Sequence, residues 1–215
     1  MYTPAHFDES RLSELHAFIK KYPLGAVITG ASGNLDANHV PLILDSSSGP
    51  FGTLRGHIAR ANSLWRDAGP ETEVLVIFQG PDSYVSPSFY PSKKEHGRVV
   101  PTWNYGVVHA RGKLKVEHDP KWLRALVVQL TDQHEANRSE PWRVSDAPEE
   151  YVSKMLDAKV GLEIVVTELR GKLKLSQNRS EADREGVRRG LDQASEANAV
   201  ATAALMSGKD NECAS

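Results

Sequence analysis

The chain has 215 residues, 40% hydrophobic and 25% charged, a balance that excludes a disordered or fibrous protein. Lys+Arg 26 against Asp+Glu 28 leave a formal charge of -2, which excludes a whole-molecule cationic field of the kind that grips nucleic acid, though not a local basic patch. Cys213 is the single cysteine, so an intramolecular disulfide and a Cys-rich zinc site are excluded by count.

The first residues, from Met1 to Asp8, lack a basic segment followed by an apolar one, and no secretory signal is expected. The longest apolar runs, such as Val74-Leu75-Val76-Ile77-Phe78, fall far short of the ~20 residues of a membrane span. The expectation is a cytoplasmic chain with no membrane partner. Over 8–21 the spacing of Leu12, Leu15, Phe18 and Ile19 predicts an amphipathic helix, capped by Asp8 or Ser10 and stopped before Pro23. Runs at 24–29, 37–44 and 52–58 then read as three strands joined by short Gly-, Ser- and Asn-rich turns, an antiparallel meander. A fourth strand covers 73–79, Gly80-Pro81-Asp82 breaks it, and 83–86 resumes it briefly.

Residues 87–105 carry three prolines and read as a long polar-aromatic loop. From 106 to 117 the period is two, with Val108, Ala110, Gly112, Leu114 and Val116 on one face. Asp119 caps a long helix with Pro120 at its first position, and a shorter helix follows at 149–156. Strands at 161–169 and 172–176 come next, and then a helix opened by Ser180-Glu181-Ala182-Asp183, a capping box with Asp in place of Glu. The Ala-rich segment 191–215 reads as a fraying helix or a disordered tail. The predicted fold is one mainly β, barrel-like domain over 1–190 with flanking helices.

Three constellations carry chemistry. The first is Arg55-Gly56-His57-Ile58-Ala59-Arg60-Ala61-Asn62-Ser63, where a strand placing Arg55 and His57 on one face runs into a basic turn and a short capped helix. Cationic donors beside a helix N-terminus suit a phosphate monoester, although a solvated strand edge before a capped helix has the same pattern. The second is Val100-Pro101-Thr102-Trp103-Asn104-Tyr105, two aromatics flanking an amide, which suits either a flat aromatic ligand or an aromatic corner packed on the barrel. The third runs from 170 to 189, where Arg170, Lys172, Lys174, Arg179, Arg184, Arg188 and Arg189 outnumber Glu181, Asp183 and Glu185. Such a run contacts an anion or is simply solvated. The eight histidines show no i, i+4 pair, and no phosphate-binding loop, dinucleotide fingerprint or nucleophile elbow is present; no metal is expected.

Together, Met1-Tyr2-Thr3-Pro4, Gly56-His57-Ile58-Ala59-Arg60-Ala61-Asn62, Phe78-Gln79-Gly80-Pro81-Asp82-Ser83-Tyr84-Val85-Ser86, Val100-Pro101-Thr102-Trp103-Asn104-Tyr105 and Lys174-Leu175-Ser176-Gln177-Asn178-Arg179 resemble the PaiB family of FMN-binding negative transcriptional regulators. The resemblance extends from residue 1 to about residue 190. It implies an antiparallel split β-barrel of the FMN-binding type, forming a homodimer with flavin sites across the subunit interface. It places the FMN phosphate on His57, Arg60, Asn62 and Ser63, with Arg55 sharing the His57 face. Trp103, Asn104 and Tyr105 fall to the isoalloxazine or the dimer side, and Lys174, Gln177 and Arg179 to the partner subunit. DNA is the further partner the regulator label implies, through the basic patch 170–189. Two alternatives stay open: an FMN-dependent NAD(P)H oxidoreductase, and a haem-binding barrel with His57, His96 or His109 as axial ligand. Residues 91–99 are longer and more basic than the family pattern leads one to expect, and suggest a disordered lid.

Overall fold

The structure is a computed structural model that describes residues 1–31, 34–67 and 72–210. Eight strands form: β1 (Asp8–Glu9), β2 (Leu24–Ala31), β3 (Asn34–Pro41), β4 (Ile43–Asp45), β5 (Thr53–Ala59), β6 (Thr72–Val85), β7 (Thr102–Glu117) and β8 (Lys159–Lys174). The helices are α1 (Leu12–Lys21), α2 (Leu64–Asp67), α3 (Ser92–His96), α4 (Pro120–Glu135), α5 (Glu149–Asp157), α6 (Glu181–Asp192) and α7 (Ala197–Asp210). The sheet order is β3-β2-β6-β7-β8-β5-β4, with β1 beside β8, an open path rather than a closed ring. This is the antiparallel, helix-flanked sheet that the sequence predicts.

The chain falls into two compact units. The first comprises Met1–Leu15, Gln79–Val108 and the chain from Arg170 onward; the second comprises His16–Phe78 and His109–Leu169. In the second unit β2 pairs with β3 and with β6, and β5 pairs with β4 and with β8 from Thr53↔Val165 to Ala59↔Lys159. Their inward residues, including Val27, Leu54, Val76, Phe78, Leu162 and Ile164, are buried and supply the core. At Gly56 an added Cβ would lie 2.9 Å from the Pro41 carbonyl oxygen and 2.7 Å from Leu42 Cδ2, so β5 can approach the end of β3 only without a side chain. Leu123, Val144, Val152 and Leu156 fasten α4 and α5 to each other, with Trp122 packed against them. In the first unit β1 pairs with the end of β8, Asp8↔Lys172 and Glu9↔Gly171.

Several predicted boundaries move. Asp8 and Glu9 are drawn into pairing with β8, so the helix begins at Leu12 instead. The run 37–44 splits into β3 and β4 at Leu42. The fourth strand passes straight through Gly80-Pro81, because the fixed φ of proline is compatible with extended chain and costs only one ladder donor. The two predicted C-terminal strands merge into β8. The loop 87–105 is largely ordered: a 3-10 turn at Pro87–Phe89, then α3, then β7 from Thr102. The expected lid at 91–99 therefore starts as a helix, whose Ser92 amide and hydroxyl both donate to buried Asp183, at 3.1 and 2.8 Å. That contact also halves the predicted capping box, since Ser180 Oγ accepts the Asp183 amide while the Asp183 carboxylate is engaged elsewhere. Within the Ala-rich tail, Ala197–Asp210 form a packed helix, α7, burying Ala199, Thr202, Ala203 and Met206. Ser32 and Gly33 of the predicted first turn, and Cys213, lie outside the described residues.

Candidate anion-binding clusters

The eleven residues singled out by sequence separate into two clusters, one in each unit. In the second unit, strand alternation on β5 sends Arg55 and His57 to the same face, away from core residues Leu54 and Ile58. Arg55 is already neutralised there: its guanidinium donates to Asp45 at 3.0 Å and to Glu163 at 2.9 Å. His57 has no such partner. Its Nδ1 is buried without a hydrogen bond among the described residues. Burial, and then the nearby Lys159 charge, hold it below the ordinary histidine value of 6.5. It opens on a hollow of about 350 Å³ shared with His134, Glu135 and Trp142.

The turn after β5 is built by its own side chains. Arg60 donates to the carbonyls of Asp157 and Lys159, at 2.6 and 2.8 Å, tying the end of α5 to β5. Asn62 donates to Asn38 Oδ1 at 2.6 Å and accepts the Leu64 amide at 2.9 Å, as a cap should. The capped helix α2 has only four residues, too few for the N-terminal dipole expected from sequence to weigh much. Ser63 is exposed at the turn. Arg66, which the sequence reading leaves out of the site, stacks on Trp65 at 5.0 Å and reaches back to the Arg60 carbonyl. Its signal was the cation immediately after an aromatic in Trp65-Arg66. Unlike Arg55, neither Arg60 nor Arg66 has a carboxylate partner among the described residues; their hydrogen bonds go to neutral carbonyls. Among the described residues, the turn therefore carries two positive charges with no carboxylate against them.

In the first unit, Trp103, Asn104 and Tyr105 open β7, and the alternation buries Asn104 while Trp103 faces out. Asn104 is 1% exposed, and its amide nitrogen donates to Ser176 Oγ at 3.0 Å. Ser176 sits at φ 66, the left-handed region that non-glycine residues rarely adopt, so Asn104 braces a strained turn and presents nothing to a ligand. Gln177 closes the same turn, accepting the Leu175 amide at 2.7 Å and donating to the Leu173 carbonyl.

Lys174 donates to Thr102 Oγ1 and to the Trp103 carbonyl. Lys172 lies 5.4 Å over the Tyr105 ring and donates to the Tyr2 carbonyl, while Arg179 lies 5.1 Å over Tyr90. Burial, then Lys172 and Arg179, lower the Lys174 ammonium below the usual lysine range. All three cations rest on neutral oxygens or ring faces, with no ion pair among the described residues. Such a trio attracts an anion, and the aromatic rings beside it suit a planar one. Farther along, Arg188 and Arg189 both pair with Glu185, which lowers the charge that α6 offers outward. Of the histidines a haem reading draws on, His57 and His109 belong to the second unit and His96 to the first, where its Nδ1 accepts the Arg98 amide at 3.0 Å.

Comparison with known proteins follows this geometry. The model of a family described as "Putative FMN-binding domain" matches residues 1–168. An uncharacterized protein of Emericella nidulans is 35% identical, over 89% of this chain and 90% of its own length. Protease synthase and sporulation protein PAI 2 of Bacillus subtilis is 32% identical, over 97% of this chain and 98% of its own length. Among solved structures, the FAD and heme binding protein of Mycobacterium smegmatis superposes with a TM-score of 0.56 at 18% identity, covering 84% of this chain and 78% of that one. The last likeness is one of fold, the split barrel.

Proposed function

The chain belongs to the FMN-binding domain family whose model it matches, and from that premise we propose that it is a negative transcriptional regulator holding FMN at a homodimer interface. The observation that carries the reading is the β5–α2 turn: among the described residues Arg60 and Arg66 meet carbonyls and no carboxylate, Ser63 is exposed beside them, and His57 Nδ1 is buried without a partner. Cations resting on neutral carbonyls, a hydroxyl and an orphaned ring nitrogen fit a phosphate; Arg55, held by two carboxylates, does not. Tyr105, Lys174 and Arg179 of the partner subunit then supply a planar face and positive charge to the rest of the flavin. Bound FMN supplies a redox centre, and the protein's own residues do the holding and orienting. The regulatory role rests on the resemblance of the five motifs to the PaiB family, and DNA is met through the 170–189 segment, twice in a dimer.

The test is a flavin pair titrated against the intact protein. FMN is expected to bind about tenfold or more tightly than riboflavin, which lacks the phosphate and its charge-assisted bonds. Arg66→Ala and Ser63→Ala should weaken FMN and leave riboflavin unchanged. Equal binding of the two flavins, or no flavin absorbance at micromolar FMN, would sink the assignment.

A further inference from the structure

A hollow lies wholly within the first unit and differs in charge from both clusters above. Its walls start from Asp82-Ser83-Tyr84-Val85-Ser86-Pro87-Ser88-Phe89, where β6 ends and turns. Ser86 accepts the Ser88 amide at 3.2 Å and shares a hydroxyl hydrogen bond with it at 2.8 Å, which sets the turn. Helix α6 then fixes it from behind. A Cβ on Gly186 would lie 2.2 Å from the Phe89 carbonyl oxygen, and one on Gly190 2.4 Å from the Phe89 ring, so α6 touches Phe89 along two glycines. Across from it, Tyr84 and Trp103 meet edge to face with centroids 6.1 Å apart, each about half exposed (49% and 53%).

These aromatics, with Leu191 and Ala199, bound a hollow of about 550 Å³. Its lining includes two carboxylates, Asp82 and Glu196, and among the described residues no lysine, arginine or histidine. Asp82 accepts one hydrogen bond, from Gln79 Nε2 at 3.2 Å, and neither carboxylate has an ion-pair partner among the described residues. Negative charge over aromatic faces repels a phosphate and favours a cation with a flat apolar body. The flavin phosphate is therefore a poor fit here, and the hollow belongs to the first unit while the turn that suits the phosphate belongs to the second.

We propose that this hollow binds an arylalkylamine, its ring system against Tyr84 and Trp103 and its ammonium toward Asp82 and Glu196. At about 550 Å³ the hollow lies within the ~300–1,000 Å³ of small-molecule pockets and admits such a ligand. The experiment is calorimetric titration of the intact protein with three ligands sharing one ring: tryptamine, tryptophol and indole-3-acetate, which differ only in cationic, neutral or anionic character. Tryptamine should bind about tenfold more tightly than tryptophol, and indole-3-acetate should not bind measurably. The double variant Asp82→Asn, Glu196→Gln should bring tryptamine down to the tryptophol level, and Trp103→Ala should weaken both. FMN binding, read in the Asp82→Asn, Glu196→Gln variant, should not change, which separates failure here from failure of the flavin reading and confirms that this variant folds. Equal affinity for the three ligands, or a double variant that still prefers the amine, would overturn the proposal.

Discussion

His57 and Asn104 mark the two ways a residue read from sequence resolves in the fold. Both belong to polar motifs, and both lie on strands. Asn104 is in phase with Gly106, Val108 and Ala110, so extending the period of two by one step already places it inside. That its amide braces Ser176, 72 positions away, was not legible, because nothing local links the two. His57 keeps an orphaned nitrogen, and the sign of its titration is testable. Its folded pKa lies below the unfolded 6.5, so the folded state resists protonation. The stability tied to neutral His57 is complete above pH 6.5 and is lost as pH falls from there through the lower folded value. Melting temperatures at pH 7 and pH 5 should thus differ less in His57→Gln than in the parent protein. An identical drop in both would mean that other groups carry the acid sensitivity. Saturating FMN should protect the parent more than the variant.

At the scale of elements, the segment after β6 shows what periodicity alone misses. Three prolines and many polar residues read as loop, yet Pro87–Phe89 and α3 are fastened by Asp183, Gly186 and Gly190 of α6. The fastening depends on an absent methyl group, and absence leaves no pattern. Gly186→Ala would drive a Cβ into the Phe89 backbone oxygen, which cannot rotate away, and should cost about 1–3 kcal/mol in urea unfolding. Gly208→Ala on α7, where a Cβ meets nothing within 4 Å, should instead stabilise by about 0.5–1 kcal/mol through helix propensity. If the two variants unfold alike, the close approach of α6 is not a constraint. The helix caps were easier to read. Asp119 before Pro120 uses only neighbours in sequence and forms as the spacing predicts, whereas at α2 both Asn62 and Ser63 could serve and the structure uses Asn62.

For the whole molecule, the proposed interface makes assembly and flavin content one measurement. Light scattering should give twice the 23.7 kDa of the chain, with FMN shifting the equilibrium further toward the dimer on dilution. A monomer that binds FMN with full affinity would contradict an interface site. DNA affinity is expected to be weak and to fall steeply with salt, since Arg188 and Arg189 share Glu185 within their own helix. Charge reversal at Arg184, Arg188 and Arg189 that leaves DNA binding unchanged would remove 170–189 from the interface.

The sequence by itself determined the antiparallel strand pattern, the Asp119 cap of α4, the buried face of β7 and the family, because hydrophobic period, turn chemistry and in-register motifs are local properties of a chain. Only the tertiary structure decided which of the cations are spent. Arg55 and Arg60 are five residues apart and look alike in sequence, yet one meets Asp45 and Glu163 while the other, among the described residues, meets carbonyls. The strand order sets those encounters: β5 lies between β4 and β8, and their register puts Glu163, 108 positions away, opposite Arg55 and Asp45 two places along from Ile43, the residue that pairs with it.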